Sequence, residues 1–261
     1  MKTLPKYYTR LGPFETAFAA GLPILTYHKL GPRPWGARLK GLYVSRRLFE
    51  RQLKELRDAG FRSGSLDHLP KELASVSRTV VLTFDDGFEN VLRHGLEPLA
   101  RFEFQAIEFL VADRLGAVND WEMADGEVQE KLLDRRQVTD WLAAGHEIGS
   151  HTRTHPFLTR LSRIEAKEEI SASKKTLEDL FGRPVRHFCY PYGDCNSLVA
   201  DLVQDAGYTT ACTTRGGVNT PAIAPFQLHR FTVRYPSRSL KSLKQWLGRW
   251  RTQAMARPEA G

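Results

Sequence analysis

Short apolar runs alternate along the chain with longer stretches whose apolar positions recur every three or four residues. "LPILTY" (22–27), "TVVLTF" (79–84), "QAIEFLVA" (105–112), "HEIGSH" (146–151), "VRHFCYPYG" (185–193), "YTTACTT" (208–214) and "FQLHRFTV" (226–233) read as strands. Helical patterns lie between them. "SRRLFERQLKELRDAGF" (45–61) puts Phe49, Leu53 and Leu56 on one face, with Ser45 as its N-cap. A second helix passes through Leu92, Leu96 and Leu99, and a third, "DRRQVTDWLAAG", stops at Gly145. Residues 163–181 form a long charged helix with Ile170, Leu177, Leu180 and Phe181 inward, and "SLVADLVQDAG" (197–207) is the last. Strand and helix alternating in this way imply a mainly parallel sheet. About seven strands suit a closed or nearly closed barrel, with an open doubly wound sheet as the competing architecture. No GxGxxG or P-loop pattern supports a nucleotide site.

Bulk properties narrow the field only a little. A chain of 261 residues holds one large domain or two small ones. No run approaches the roughly 20 apolar residues needed to span a bilayer. The mild apolar patch near the N-terminus is broken by Glu15 and does not read as a signal peptide. Three cysteines, Cys189, Cys195 and Cys212, show no CxxC spacing, which points away from a disulfide framework and towards a reducing compartment, with cytoplasm as the default. The formal net charge of +8 admits nucleic acid, an anionic membrane surface or acidic glycans as partners, but no nucleic-acid motif accompanies it. Part of the excess lies in "SLKSLKQWLGRWRTQ", where Leu240, Leu243, Trp246, Leu247 and Trp250 can share one helix side flanked by Lys and Arg. That pattern suits either a terminal helix docked on the core or an interfacial helix, peripheral to the inner membrane face, on anionic lipid. The expected layout is an extension over 1–21, one barrel domain over 22–237 and this basic amphipathic segment over 238–261.

Candidate chemistry sits at the C-terminal ends of the expected strands. His28 follows "ILTY", Asp85 and Asp86 follow "VVLTF", His151 follows "EIGS", and "YPYG" follows "RHFC". In barrels of alternating strands and helices, active sites assemble on that face. Two adjacent carboxylates at a buried strand end need a positive partner, although Asp-Gly is also ordinary turn chemistry. In "SHTRTHP" the spacing of four between His151 and His155 puts both imidazoles on one side of a helical turn. Two histidines and one carboxylate with open positions are a familiar site for a catalytic divalent metal; two exposed histidines near a turn are the alternative.

"TFDDG", "SHTRTH" and "FCYPYG", in this order, resemble the polysaccharide deacetylase family, the NodB-homology domain of carbohydrate esterase family four. "PILTYHKLG" and "FERQLKELRDAGF" resemble the opening of one branch of it, marked by a "YH" motif, and the likeness spans roughly residues 22–235. The resemblance implies a deformed (β/α)7-type barrel, a single α/β domain. It also implies metal-dependent removal of an acyl group, usually acetyl, from an N-acylated amino sugar in a glycan or glycolipid. In those terms Asp85 is the general base, and Asp86, His151 and His155 hold one divalent ion. Zinc is the first choice; cobalt, nickel or iron suit the same ligands. The backbone N–H of Tyr192 faces the oxyanion, with Tyr190 and Pro191 beside the substrate.

This chain departs from the family pattern at two places. Many members carry an Arg, paired with the catalytic Asp, where this sequence has Cys189, which reads as a small buried hydrophobe. Arg230 is the substitute candidate, against the reading of a surface or strand-end Arg. The usual late "LxH" motif is also missing, because His229 directly follows Leu228. The resemblance then assigns the general acid to His28 rather than His229. Strand alternation allows at most one of His229 and Arg230 to face the site. Two other readings remain on the same chemistry: a deformylase of a lipid-linked amino sugar, and a non-catalytic carbohydrate-binding relative.

Overall fold

The structure, a computed structural model, describes residues 4–69 and 78–235. Seven strands occupy the apolar runs: β1 (Ile24–Tyr27), β2 (Thr79–Asp86), β3 (Ala106–Leu110), β4 (Glu147–Ser150), β5 (His187–Cys189), β6 (Thr210–Cys212) and β7 (Phe231–Thr232). They pair in parallel in the order β7-β1-β2-β3-β4-β5-β6. That order advances round the sheet without the mid-sheet reversal of a doubly wound fold. The sheet therefore curls into a half-barrel. Its two edges approach each other through a bridge between Cys212 and Leu228, and Arg230 N donates to Arg215 O at 2.9 Å. Two short pairings were not foreseen: Lys29–Leu30 with Tyr43–Val44, and Arg62–Ser63 with the start of β2.

Strand β2 is buried at all eight positions, as a parallel strand covered on both faces must be. Its residues divide by period two. Val80, Leu82 and Phe84 join the main core beneath the helices, whereas Val81 joins Ile24, Ile107, Phe109, Cys189, Cys212 and Leu228 inside the curl. Thr83 and Asp85 continue the Val81 face, which aims Asp85 into the barrel. Gly149 on β4 makes this interior possible, because a Cβ there would lie 2.4 Å from the Phe109 ring and 2.9 Å from His187 O.

Among the described residues, five helices of nine residues or more cover the outside: α1 (Arg46–Asp58), α2 (Glu89–Arg101), α3 (Arg135–Ala143), α4 (Arg163–Phe181) and α5 (Ser197–Asp205). Ser45 caps α1, its Oγ accepting from Leu48 N at 3.3 Å. Capping boxes start α3 (Asp134 with Gln137) and α4 (Ser162 with Glu165). On α4 Ile170 and Leu177 are buried with Ala166 and Ser173, while Leu180 and Phe181 are half-buried. Residues before β1 also join the core: Tyr8, Leu11, Phe14 and Phe18 are buried, and Tyr8 pairs with Val233 beside β7. The basic amphipathic segment read over 238–261 lies outside the described residues. No described helix is long and apolar enough to cross a membrane.

Candidate active site

The strand ends of one rim converge on a cleft of about 910 Å³. His28, Asp85, Asp86, His151, His155, Tyr190 and Tyr192 all line it. The chain enters this cleft with unusual backbone. Asp86 (φ 79), Thr152 (φ 70), His155 (φ 68) and Tyr192 (φ 59) take the left-handed region, and only Glu103 does so elsewhere among described non-glycine residues. Each such residue costs on the order of 1–3 kcal/mol, and such strain concentrates at functional sites.

Asp86 and the two histidines form one buried group. Asp86 Oδ1 lies 3.4 Å from His151 Nε2 and 3.3 Å from His155 Nε2. Charge-assisted hydrogen bonds are shorter, about 2.7–2.9 Å. Ligands bound tetrahedrally at zinc-like distances of about 2.0–2.1 Å stand roughly 3.3 Å apart, so the spacing suits a metal ion between the three donors. His151 Nδ1 lies 2.7 Å from Cys189 O. A proton on Nδ1 donated to that carbonyl leaves the Nε2 lone pair facing Asp86, the usual orientation of a metal-binding imidazole. Burial alone would raise the Asp86 carboxyl, but the imidazoles of His151 and His155 hold it well below the usual carboxylate range. Burial lowers His155, which favours its neutral, metal-binding form.

The two histidines do not meet on a helical turn. Residues 151–155 are irregular, and Thr152 Oγ1 accepts from His155 N at 3.0 Å. This side-chain turn, with left-handed Thr152 and His155, folds the segment back so that both rings reach Asp86. Trp121 stacks on His155 with ring centroids 4.5 Å apart.

Asp85 faces the interior beside Arg230. The guanidinium donates from Nη1 to Oδ1 and from Nη2 to Oδ2, both at 2.7 Å, a bidentate fork. Arg230 is 1% exposed, so the surface reading of this residue is set aside. Its remaining donors reach Thr83 Oγ1 (3.1 Å), Thr213 O (3.0 Å) and Cys189 Sγ (3.0 Å). Burial opposes ionisation of Asp85, and Arg230 outweighs it, holding the carboxyl below its ordinary range. Cys189 is buried, as expected, but it is more than a hydrophobic filler. Its thiol donates to Asp85 Oδ2 at 3.6 Å, and its small volume leaves the room that Arg230 occupies.

His28 lines the cleft with its Nδ1 buried and without a hydrogen-bond partner, and burial lowers its pKa. His229 lies apart, its ring over Gly217 and its backbone N–H donating to Asn219 Oδ1 at 2.8 Å. Tyr190 is buried, with its hydroxyl donating to Phe226 O at 3.0 Å, and Pro191 is buried beside it. Tyr192 is 42% exposed; its ring stacks on Phe157 at 3.9 Å and meets His155 edge-on at 4.7 Å.

Several cleft residues gave no sequence signal. Glu122, next to Trp121, lines the cleft and is pushed up to about 7, first by burial and then by Asp86. It pairs with Lys29, which is fully buried, at 3.8 Å. Glu127 lines the cleft too, and its Oε2 accepts from the backbone N–H groups of Arg38 (2.8 Å) and Leu39 (2.6 Å). Glu122 sits in a short 3-10 helix (Asp120–Asp125) and Glu127 just beyond it, where no hydrophobic period marks the sequence.

With that geometry in place, comparison with known proteins places the chain. Residues 74–211 match the family model described as polysaccharide deacetylase. YxkH of Bacillus subtilis is 25% identical over 227 residues, 84% of this chain and 74% of YxkH. The peptidoglycan-N-acetylglucosamine deacetylase PgdA of Listeria monocytogenes is 25% identical over 199 residues, 70% of this chain but only 39% of PgdA. Among solved structures, IcaB from Ammonifex degensii superposes with a TM-score of 0.72 at 26% identity, covering 87% of this chain and 96% of IcaB.

Proposed function

The chain belongs to the polysaccharide deacetylase family, hydrolases of carbon–nitrogen bonds other than peptide bonds, and on that premise we propose that it removes the N-acetyl group of an amino sugar in a glycan or glycolipid. The observation that carries this reading is the pairing of two buried carboxylates with opposite partners: Asp85 on an arginine fork, Asp86 on two imidazoles. One is suited to accept a proton and the other to hold a cation.

Asp86, His151 and His155 would hold a divalent ion, zinc by preference. When bound, such an ion polarises the acyl carbonyl and lowers the pKa of water. Asp85, kept ionised by Arg230, takes the proton of the attacking water. The backbone N–H of Tyr192 would donate to the developing oxyanion. His28 donates a proton to the departing amine, which is a poor leaving group without it. Burial lowers the His28 pKa, so its protonated form is a stronger acid for that step. Tyr190 and Pro191 form part of the wall against the substrate. The "YH" motif at Tyr27–His28 supports assignment to the branch that draws its acid from the early strand. A reducing compartment, the cytoplasm, is part of this reading, on the ground that three cysteines without CxxC spacing do not suggest a disulfide framework. Peripheral contact with an anionic membrane through residues 238–261 is part of the same proposal.

The test is acyl release by metal-loaded protein from a panel of N-acetylated and N-formylated amino sugars, free, oligomeric and lipid-linked. Acetate from the N-acetyl substrates supports the reading. Formate alone moves the activity to a deformylase, and no release with tight sugar binding makes the protein a lectin-like relative.

A further inference from the structure

The cleft holds a second set of charged groups that the acyl-transfer chemistry does not use. Lys6, Arg38 and Arg234 come from three separate segments and line the same cavity as Asp85 and Asp86. Lys6 Nζ stands 5.4 Å from the centroid of the Tyr7 ring, and Arg234 Cζ stands 4.3 Å from it. Two cations on one ring are no more than roughly 10 Å apart, about one Debye length at 0.1 M salt, so an anion held between them is attracted by both.

The arrangement is built rather than incidental. Tyr8 N donates to Thr232 O at 3.1 Å and Arg234 N to Tyr8 O at 3.3 Å, which fixes Tyr7 beside Arg234. Gly41 leaves space for the arginine stem, since a Cβ there would lie 3.1 Å from Arg234 Cδ. Arg234 Nε is buried with no hydrogen-bond partner. Among the described residues neither Lys6 nor Arg234 forms an ion pair. The other acids of the cleft have partners elsewhere: Asp85 has Arg230, Asp86 the imidazoles, Glu122 has Lys29 and Asn119, and Glu127 Oε2 accepts from two backbone N–H groups. Among the described residues no acid is left to pair with either cation.

We propose that Lys6 and Arg234 form an oxyanion subsite beside the deacetylation centre, taking a phosphate or carboxylate group carried by the amino sugar. This rests on the deacetylase reading for its substrate, but the subsite is tested by binding alone. Calorimetric titration of the metal-loaded protein would compare N-acetylglucosamine, N-acetylglucosamine 1-phosphate and N-acetylmuramic acid. At least one anionic sugar should bind about tenfold or more tightly than the neutral one at low salt, with the advantage shrinking as salt rises. Which anionic sugar gains identifies phosphate or carboxylate as the preferred group. Combined Lys6→Gln and Arg234→Gln substitutions should abolish the advantage while leaving affinity for N-acetylglucosamine unchanged, and Arg234→Lys should restore part of it. Equal affinities in the wild type, or an advantage that survives the double substitution, overturn the proposal. A wild type that shows the binding difference but releases no acetate overturns the deacetylase reading and leaves the subsite standing.

Discussion

Arg230→Met probes the charge balance of the site most sharply. Arg230 and Asp85 are 1% and 3% exposed, so the carboxylate has little water to fall back on when the fork is removed. Breaking one side of a buried pair costs about 3–5 kcal/mol. The carboxyl has one escape, which is to take up a proton, and this sets the sign of the pH dependence. In the wild type burial pushes Asp85 up but Arg230 prevails, so its folded pKa lies below the ordinary value of about 3.9. That group contributes stability above pH ~3.9, lost as the pH falls through the folded pKa. In the variant burial prevails and the folded pKa rises above ~3.9. The folded variant then binds a proton that the unfolded chain does not, and its stability falls by about 1.4 kcal/mol per unit as pH rises from ~4 to the new pKa. The gap to wild type therefore widens by about 1.4 kcal/mol for each unit of pH above ~4 until the new pKa is reached. Urea unfolding of both proteins across pH 5–8 measures the gap. Arg230→Lys, which keeps the charge without the fork, should fall between them. Parallel stability curves for wild type and Arg230→Met over pH 5–7 would refute the reasoning, because Asp85 would then owe its charge to some other group.

Three further outcomes follow from the geometry. His28→Ala should keep its metal yet slow amide cleavage by about 10²-fold or more, with a much smaller loss on an activated ester that needs no proton, while His229→Ala should change neither rate much; equal losses on amide and ester would remove His28 from the acid role. Changing His151 or His155 to Ala should lower bound metal and acetate release together, and a double variant that still binds a full equivalent of metal contradicts the ligand set. Gly149→Ala should lose about 1–3 kcal/mol by overpacking against Phe109, seen as a lower Tm; an unchanged Tm would mean that the barrel interior is looser than described.

All seven strands and five long helices were legible because each is a single apolar run or a single helical stripe. The competing doubly wound sheet could not be dismissed from pattern alone, since strand order is not written in any one segment. His151 and His155 were recognised by spacing, but the helical turn inferred from it was wrong. Left-handed Thr152 and His155 are imposed by the strand end and by Asp86, and nothing local announces them. Alternation allowed at most one of His229 and Arg230 to face the site, without saying which. The choice depends on the small Cys189 two strands away, a fact of tertiary packing. Lys29 looks like any surface lysine until Glu122, Glu130 and Phe88 enclose it. Glu122, in a short 3-10 helix, and Glu127 just beyond it lie where the sequence shows no period, and they could be found only in three dimensions.

The most direct test of the central claim is acetate release by Asp85→Asn compared with wild type at matched metal content. Both proteins should bind one equivalent of divalent ion, because Asp85 stands on Arg230 and outside the Asp86–His151–His155 group. The wild type should release acetate from an N-acetylated amino-sugar oligomer, and the variant should do so slower by about 10²-fold or more. A variant that turns over at the wild-type rate with its metal in place would contradict the account, leaving Asp85 as no more than a buried partner for Arg230.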